Sequence, residues 1–180
     1  VEHHSNINMS LDQIKTFGVT AEDKIVWFAS VAFDASISEI MMSLYSGATL
    51  CIPREEEQKD KDQFISFLQE TKSTIVTFPP SYLELLSKED LKSLKTIITA
   101  GESANPIKAK EIVENGINYY NAYGPTEYSV CTSIFKLNPN HSYSSVPIGV
   151  PLSNTRVYIL ADDLRVVPVG LSATSYVGGQ

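Results

Sequence analysis

The sequence has few cysteines, fewer basic than acidic residues and no long apolar run, and each shortage excludes a class of protein. Two of its 180 residues are cysteines, Cys51 and Cys131, and their separation fits neither a disulfide framework nor a metal-binding motif. No apolar run approaches the roughly 20 residues that span a bilayer, and no charged and then apolar leader opens the chain. We therefore expect a reduced, cytoplasmic protein without a membrane partner.

The charge balance argues against a second class, the nucleic-acid-binding proteins. Lysine and arginine number 14 against 21 aspartates and glutamates, which gives a formal net charge of −7. A surface of this sign argues against a nucleic-acid partner. The chain starts at Val1 and stops after a strand followed by glycines, so we expect an internal fragment of a longer protein.

Short β-branched or aromatic runs alternate with amphipathic segments over most of the sequence. A first helix is predicted to end at Gly18. Strands are predicted at 24–30, 48–52, 73–78, 95–100 and 117–120, with helices between them. Such alternation implies an α/β fold with a doubly wound, mostly parallel sheet flanked by helices, as in flavodoxin-like subdomains. The charged run 54–62 is interpreted as a solvated loop that leads into a helix.

The pattern changes beyond residue 127. Strands are predicted at 130–135 and 155–160, and a loop rich in Pro, Ser and Asn separates them. We therefore expect an α/β subdomain at 1–140 and the truncated start of a β-rich subdomain at 141–180.

Polar loops follow the predicted strands at 33–34, 77–80, 100–103 and 121–127. Ligands of open parallel sheets bind beyond the carboxyl ends of the strands, so these loops predict a binding cleft. The last loop reads NAYGPTE and offers an aromatic ring, a hydroxyl and a carboxylate to a nucleotide and its metal. A plain strand-ending turn is the alternative for that loop taken alone.

Two other polar features have simple structural interpretations. Asp34 stands where a helix N-cap belongs, which is worth about 1 kcal/mol, although a carboxylate there also suits an ammonium group in the cleft. His3 and His4 have no further ligand at metal spacing, so a solvated or capping pair is favoured over a metal site.

Motifs in a fixed order connect the chain to a known family. They are FDAS at 33–36, ITAGE at 98–102, NAYGPTE at 121–127 and VPIGVP at 146–151. In this order the chain resembles the amino-acid adenylation domains of nonribosomal peptide synthetases, which are adenylate-forming enzymes. The resemblance implies that an amino-acid carboxylate attacks the α-phosphate of ATP, and that a carrier protein's phosphopantetheine then receives the acyl group as a thioester.

The resemblance also implies residue roles. Thr126 would hydrogen-bond the α-phosphate and Glu127 would ligate Mg²⁺, so both are catalytic candidates. The implied nucleotide-binding residues are Gly101, Glu102, Ser103, Asn121, Ala122, Tyr123 and Gly124, with Tyr123 stacked on adenine.

The resemblance likewise implies that Asp34 pairs with the substrate's α-ammonium group. The implied side-chain pocket consists of Ala35, Ser38, Thr77, Ile98, Ala100, Ala122, Val130 and Cys131. These residues are small or apolar, which suits a large hydrophobic side chain. The set is similar to that of phenylalanine-activating domains except at Ser38, where those domains have Trp. We therefore expect an aromatic substrate that is longer than phenylalanine, such as tyrosine.

Three alternatives stay open. An acyl- or aryl-CoA ligase shares the nucleotide half, a flavodoxin-like redox module shares the sheet, and the chain alone could be a catalytically silent structural subdomain. The family's phosphate-binding loop, ribose-binding aspartate and C-terminal lobe are absent from this sequence. We therefore expect an isolated fragment that binds substrate without turnover, whose partners are the other subdomains of the domain and the carrier protein. Exposed sheet edges make a swapped or associated oligomer plausible.

Overall fold

Two β-sheets organise the chain, which the computed structural model describes from residue 2 to residue 179. The helices are α1 (His3–Phe17), α2 (Ala35–Ser46), α3 (Glu55–Lys59), α4 (Lys61–Thr71), α5 (Pro80–Leu83) and α6 (Pro106–Glu114). The strands are β1 (Lys24–Val26), β2 (Thr49–Cys51), β3 (Ile75–Phe78), β4 (Thr96–Thr99), β5 (Asn118–Tyr123), β6 (Ser133–Lys136), β7 (Val150–Pro151), β8 (Thr155–Leu160) and β9 (Thr174–Gly179).

The larger sheet has seven strands in the order β2-β1-β3-β4-β5-β6-β7. The first five strands in this order pair in parallel, whereas β6 and β7 are antiparallel. This confirms the predicted doubly wound, mostly parallel sheet. The strand order reverses between β1 and β3, which is where open α/β sheets form their ligand crevice. Strands β8 and β9 form a separate antiparallel pair.

Each face of the large sheet carries its own apolar cluster. Neighbouring residues of a strand point to opposite faces, so Ile97 joins the cluster under α4 and α6 while Ile98 joins the cluster under α1 and α2. Both faces are covered, which explains why the strands are continuous apolar runs rather than alternating patterns. No helix in the described part of the chain is long and apolar enough to cross a membrane.

Local signals set several helix ends as predicted. Gly18 closes α1 at φ 65°. Asn105 caps α6 by accepting a hydrogen bond from the backbone N–H of Ile107 at 2.9 Å, and Pro106 follows as the first helical residue. Here sequence and structure agree because the capping groups lie within a few residues of one another.

Other predicted boundaries were wrong, two of them for nonlocal reasons. The predicted strand 24–30 ends at Val26, because the Glu39 carboxylate takes the N–H groups of Phe28 and Ala29. The charged run 54–62 contains the short helix α3, and there Glu57 accepts a hydrogen bond from the Arg54 N–H at 2.6 Å. Strand β7 lies inside a predicted loop, since its two residues pair with β6.

Candidate functional site

Most residues of the predicted side-chain pocket lie on the sheet face that α1 and α2 cover. Ile98, Ala122 and Cys131 belong to the buried cluster on this face. Ala100 and Val130 pack against the same cluster. Thr77 lies between two strand residues that pack on the opposite face, so its side chain points toward α1 and α2. Ala35 and Ser38 are in the first turn of α2. The structure therefore brings this set together.

The side chain of Asp34 does not cap α2. The residue precedes the helix, but its backbone is already helical (φ −63°, ψ −25°) and its side chain makes no capping hydrogen bond. The carboxylate oxygen Oδ2 is buried and finds no hydrogen-bond partner among residues 2–179. The interpretation as an N-cap was therefore wrong. A buried carboxylate oxygen without a donor is costly, and an ammonium group would satisfy it.

Two adjoining cavities connect Asp34 with the end of the NAYGPTE loop. Asp34, Thr126 and Val130 line a cavity of about 410 Å³. Glu127 and Cys131 line a second cavity of about 300 Å³. Both cavities are also lined by Glu2 and Ser129. The Asp34 carboxylate and both predicted catalytic residues therefore lie around one region.

The first turns of α1 complete these cavities, which the sequence analysis did not foresee. His3 and Asn6 line the larger cavity, while His4 and Ser5 line the smaller one. The Nδ1 atom of His4 lies 3.2 Å from a carboxylate oxygen of Glu2. The available signal was the polar composition of the segment before the first apolar residue of α1. Within residues 2–179, no group of three or more His, Cys, Asp or Glu side chains could hold a metal ion.

A strained turn follows the NAYGPTE loop. A β-carbon on Gly124 would lie 2.6 Å from the carbonyl oxygen of Val130, so only glycine permits this close approach. Val130 itself has φ 67°, and the N–H of Cys131 bonds the carbonyl of Ser129 at 2.6 Å. This is a γ-turn, which is rare and strained, especially with a β-branched residue at its centre. Such strain often accompanies functional sites.

The predicted nucleotide residues surround an open surface at the ends of β4 and β5. Tyr123 is 43% exposed, which favours access of a ligand to its side chain. Gly101 has φ +88° with open space around it, and Ser103 is exposed. The Glu102 carboxylate is already bonded to Ser81, in α5 just after β3.

Asn121 contributes to the fold as well as to the motif. Its side chain is buried, and its amide nitrogen donates to the carbonyl of Pro147 at 2.9 Å. Its amide oxygen accepts from the Thr99 hydroxyl at 3.3 Å. The side chain therefore links β5 to the VPIGVP segment, and a contact with a base edge stays a prediction.

A residue that sequence reasoning missed lies against Ser38. The Ser38 hydroxyl donates to Oε1 of Gln13, on α1, at 2.6 Å, and the bond is buried. The two residues are 25 positions apart, so no local pattern pairs them. The Ser38 hydroxyl is a polar group in a mainly apolar pocket, and its hydrogen is already donated to Gln13.

The fold and the site define an α/β protein with a ligand cleft at the carboxyl ends of its parallel strands. The chain belongs to the AMP-binding enzyme family, whose sequence profile matches residues 1–180. It is similar to tyrocidine synthase 1 of Brevibacillus parabrevis, with 41% identity over 181 residues that cover 99% of this chain and 16% of that protein. The chain thus spans about one sixth of this relative.

Solved structures agree with this assignment. The nonribosomal peptide synthetase FmoA3 bound to AMPPNP has the same fold, with a TM-score of 0.91 at 23% identity over 99% of this chain and 20% of that one. The four-domain nonribosomal peptide synthetase AB3403, bound to AMP and glycine, gives a TM-score of 0.88 at 28% identity over 99% of this chain and 14% of that one. The resemblance found from the motifs is confirmed.

Proposed function

We propose that the chain is part of an adenylation domain that activates an amino acid with ATP for nonribosomal peptide synthesis. The observation that carries the proposal is Asp34. Its buried Oδ2 has no partner among the described residues, and it lines a cavity together with Thr126. An α-ammonium group bound to Asp34 would direct the substrate's carboxylate toward the phosphate region.

The chemistry needs no nucleophile from the protein. A carboxylate oxygen of the amino acid forms a bond to the α-phosphorus of ATP while the bond to the leaving pyrophosphate breaks. Catalysis of such a transfer consists of positioning and charge stabilisation. Thr126 would donate a hydrogen bond to an α-phosphate oxygen, and Tyr123 would stack on the adenine beside Gly101.

The residues present fit a magnesium ion that the nucleotide brings with it. Mg²⁺ is usually held by one or two carboxylates together with substrate phosphates and water. Glu127 is exposed and lines the smaller cavity, so it offers one carboxylate in the right neighbourhood. Mg²⁺ would supply charge neutralisation at the phosphates, and Glu127 would hold it there.

The substrate proposed is a large aromatic amino acid. The pocket residues are neutral apart from Asp34 and mainly apolar, which favours a hydrophobic side chain. In the parent enzyme a carrier protein's phosphopantetheine would accept the product. We also propose a division between an α/β subdomain at 1–140 and a β-rich one at 141–180, although β7 still pairs with the large sheet. The isolated chain would bind substrate without turnover, and an associated oligomer through its sheet edges is part of the same proposal.

The second candidate is an acyl- or aryl-CoA ligase of the same family. Fatty and aryl acids carry no ammonium group, so they would leave the buried Oδ2 atom of Asp34 without a partner. Asp34 therefore favours the amino-acid substrate.

Amino-acid-dependent pyrophosphate exchange by the complete adenylation domain tests the proposal. We expect Asp34→Asn to lower kcat/KM by about 100-fold or more, because it leaves the substrate's ammonium group without its charge partner. Asp62→Asn, on the exposed side of α4, is the matched control and should match wild type. Exchange that depends on an acid without an amino group, or that survives Asp34→Asn, would overturn the proposal.

A further inference from the structure

Three buried side chains form a hydrogen-bonded series across β4 and β5. Thr99 is the last residue of β4, and it lies beside Asn121 of β5 in the register of the sheet. The Thr99 hydroxyl contacts the Tyr119 hydroxyl at 2.6 Å and Oδ1 of Asn121 at 3.3 Å. Exposure is 0% for Thr99, 1% for Tyr119 and 5% for Asn121. Because buried polar groups are costly unless they are paired, each hydrogen of this series needs an acceptor.

One arrangement of the hydrogens satisfies all three side chains. The Tyr119 hydroxyl forms no other hydrogen bond with residues 2–179, and burial raises its pKa to about 12, so it keeps its hydrogen and donates it to Thr99. The single hydrogen of Thr99 then goes to Asn121, since the carbonyl of Tyr120 is farther away at 3.4 Å. The opposite direction would leave the Tyr119 hydrogen without an acceptor and Oδ1 of Asn121 without a donor.

The same contacts fix the orientation of the Asn121 amide. Its nitrogen donates to the carbonyl oxygen of Pro147 at 2.9 Å, and its oxygen accepts from Thr99. Turning the amide over would place its oxygen against the Pro147 carbonyl, where two acceptors repel each other. An amide nitrogen carries two hydrogens, and the second one has no acceptor among residues 2–179. Thr99 therefore holds Asn121 with one N–H donor free.

This donor lies at the edge of the proposed nucleotide slot. Tyr119, Asn121 and Tyr123 alternate along β5 and so share one face of the sheet. Tyr119 is in the core, whereas Tyr123 is 43% exposed, and Asn121 lies between them. Gly101, two residues beyond Thr99, has open space around it. Adenine carries ring-nitrogen acceptors on its edges, so a base stacked on Tyr123 would supply the acceptor that the amide lacks.

We propose that Thr99 is a positioning residue for nucleotide binding, whose hydroxyl holds the Asn121 amide with a free N–H directed to a base on Tyr123. This inference rests on the proposed function and deepens it. Thr99 is fully buried, so it does not touch the nucleotide, and its effect on binding passes through Asn121. Tyr119 contributes by setting the direction of the Thr99 hydroxyl.

Calorimetric titration of the complete adenylation domain with AMP, without amino acid, tests the inference. Thr99→Val keeps the shape of the side chain and removes the hydrogen that Asn121 accepts. We expect it to raise the Kd for AMP by about fivefold, the usual contribution of one hydrogen bond. In pyrophosphate exchange, the KM for ATP should rise by a similar factor, while the KM for the amino acid stays within about twofold of wild type.

A double variant separates nucleotide binding from stability. Thr99→Val leaves the buried Tyr119 hydroxyl without an acceptor, so the urea midpoint of unfolding should fall. Thr99→Val combined with Tyr119→Phe replaces both hydroxyl groups by apolar ones, so the midpoint should return toward wild type. The Kd for AMP should nevertheless stay about fivefold raised in the double variant, because Asn121 still lacks its donor.

Thr96→Val is the matched control. Thr96 is fully buried in the same strand, and its hydroxyl has no partner among residues 2–179. The same substitution there removes a hydroxyl without releasing Asn121, so the Kd for AMP should be that of wild type.

The possible outcomes separate the two proposals. A double variant that binds AMP as tightly as wild type overturns the role of Thr99, whether or not Thr99→Val alone folds. If the Kd instead follows the urea midpoint from variant to variant, Thr99 acts on stability only and the inference is wrong. Either result together with Asp34-dependent exchange leaves the proposed function intact. A wild type that neither binds AMP nor exchanges pyrophosphate overturns both proposals.

Discussion

Glu102 accepts two hydrogen bonds from Ser81, one from the backbone N–H and one from the hydroxyl, each at 2.9 Å. Ser81 lies in α5, directly after β3, whereas Glu102 follows β4. The pair therefore ties together two of the loops that form the candidate site. Because Gly101 precedes Glu102, this bond also fixes one wall of the proposed adenine slot.

Glu102→Ala should weaken nucleotide binding without affecting amino-acid selection. A net loss of about 1 kcal/mol from the two exposed bonds corresponds to roughly fivefold in KM for ATP. Steady-state exchange assays at varied ATP concentration measure it. Glu70→Ala, an exposed glutamate of α4, serves as the control, and an unchanged KM in Glu102→Ala would contradict the role.

Glu39 makes the stability of the fold depend on pH in an unusual direction. Burial raises the pKa of its carboxyl to about 8 from an ordinary value of 4.5, although N–H groups of Ala29 and Phe28 act in the opposite sense. The folded state then binds a proton that the unfolded state releases. Stability from this group is complete below pH 4.5 and is lost as the pH rises toward 8.

Glu39→Gln should remove that dependence, since glutamine resembles the protonated acid and still accepts the two N–H bonds. We expect the variant to be more stable than wild type near pH 8.5 by on the order of a few kcal/mol, with little difference near pH 4.5. Urea denaturation at both pH values measures this. A constant difference between the two proteins at both pH values would refute the role of Glu39 ionisation.

Gly149 and Gly101 have the same φ of +88° but very different surroundings. A β-carbon on Gly149 would lie 2.0 Å from the carbonyl oxygen of Ile134, whereas one on Gly101 would meet nothing within 4 Å. Gly101→Ala should therefore cost about 1 kcal/mol of backbone strain, and Gly149→Ala about 3 kcal/mol or more. Thermal or urea unfolding of the two variants tests this, and equal losses would show that the contact with β6 does not matter.

Cys131 should be chemically silent in the folded chain. Burial raises the pKa of its thiol to about 12, despite hydrogen bonds with Gln13, Ser133 and Tyr123. At pH 8 roughly one thiol in ten thousand is then the reactive thiolate. Iodoacetamide labelling followed by mass spectrometry should modify Cys131 only after urea is added. Rapid labelling without urea would mean that the site is open to solvent.

Sequence reasoning succeeded where the determining groups are close along the chain. The Asn105 cap and the Gly18 stop depend on neighbouring residues, and the alternation of strands and helices fixed the parallel sheet. The motif residues at the ends of β4 and β5 lie at one edge of the sheet, and their roles stay predictions. The convergence of the strand ends on one cleft follows from the parallel topology alone.

The misses have a common physical origin in nonlocal partners. Strand β1 ends early because the Glu39 side chain accepts hydrogen bonds from the N–H groups of Phe28 and Ala29. Strand β7 exists only through its pairing with β6. Gln13 contacts Ser38 across two helices, so a pattern read along one helix gives no hint of it. The local sequence around Asp34 predicts a cap and cannot reveal that the side chain makes no capping hydrogen bond.

The two clusters on opposite faces of the large sheet also bear on how such a chain can diversify. Ile97 packs in the closed apolar core under α4 and α6. Its neighbour Ile98 lies on the other face of the sheet, in the wall of the proposed pocket. If the proposed pocket is right, an exchange at Ile98 would alter which ligand is accommodated while the core beneath α4 and α6 stays intact. Selection for a new substrate would then act on one set of alternate positions, and the apolar cluster on the other face of the same strands would be retained.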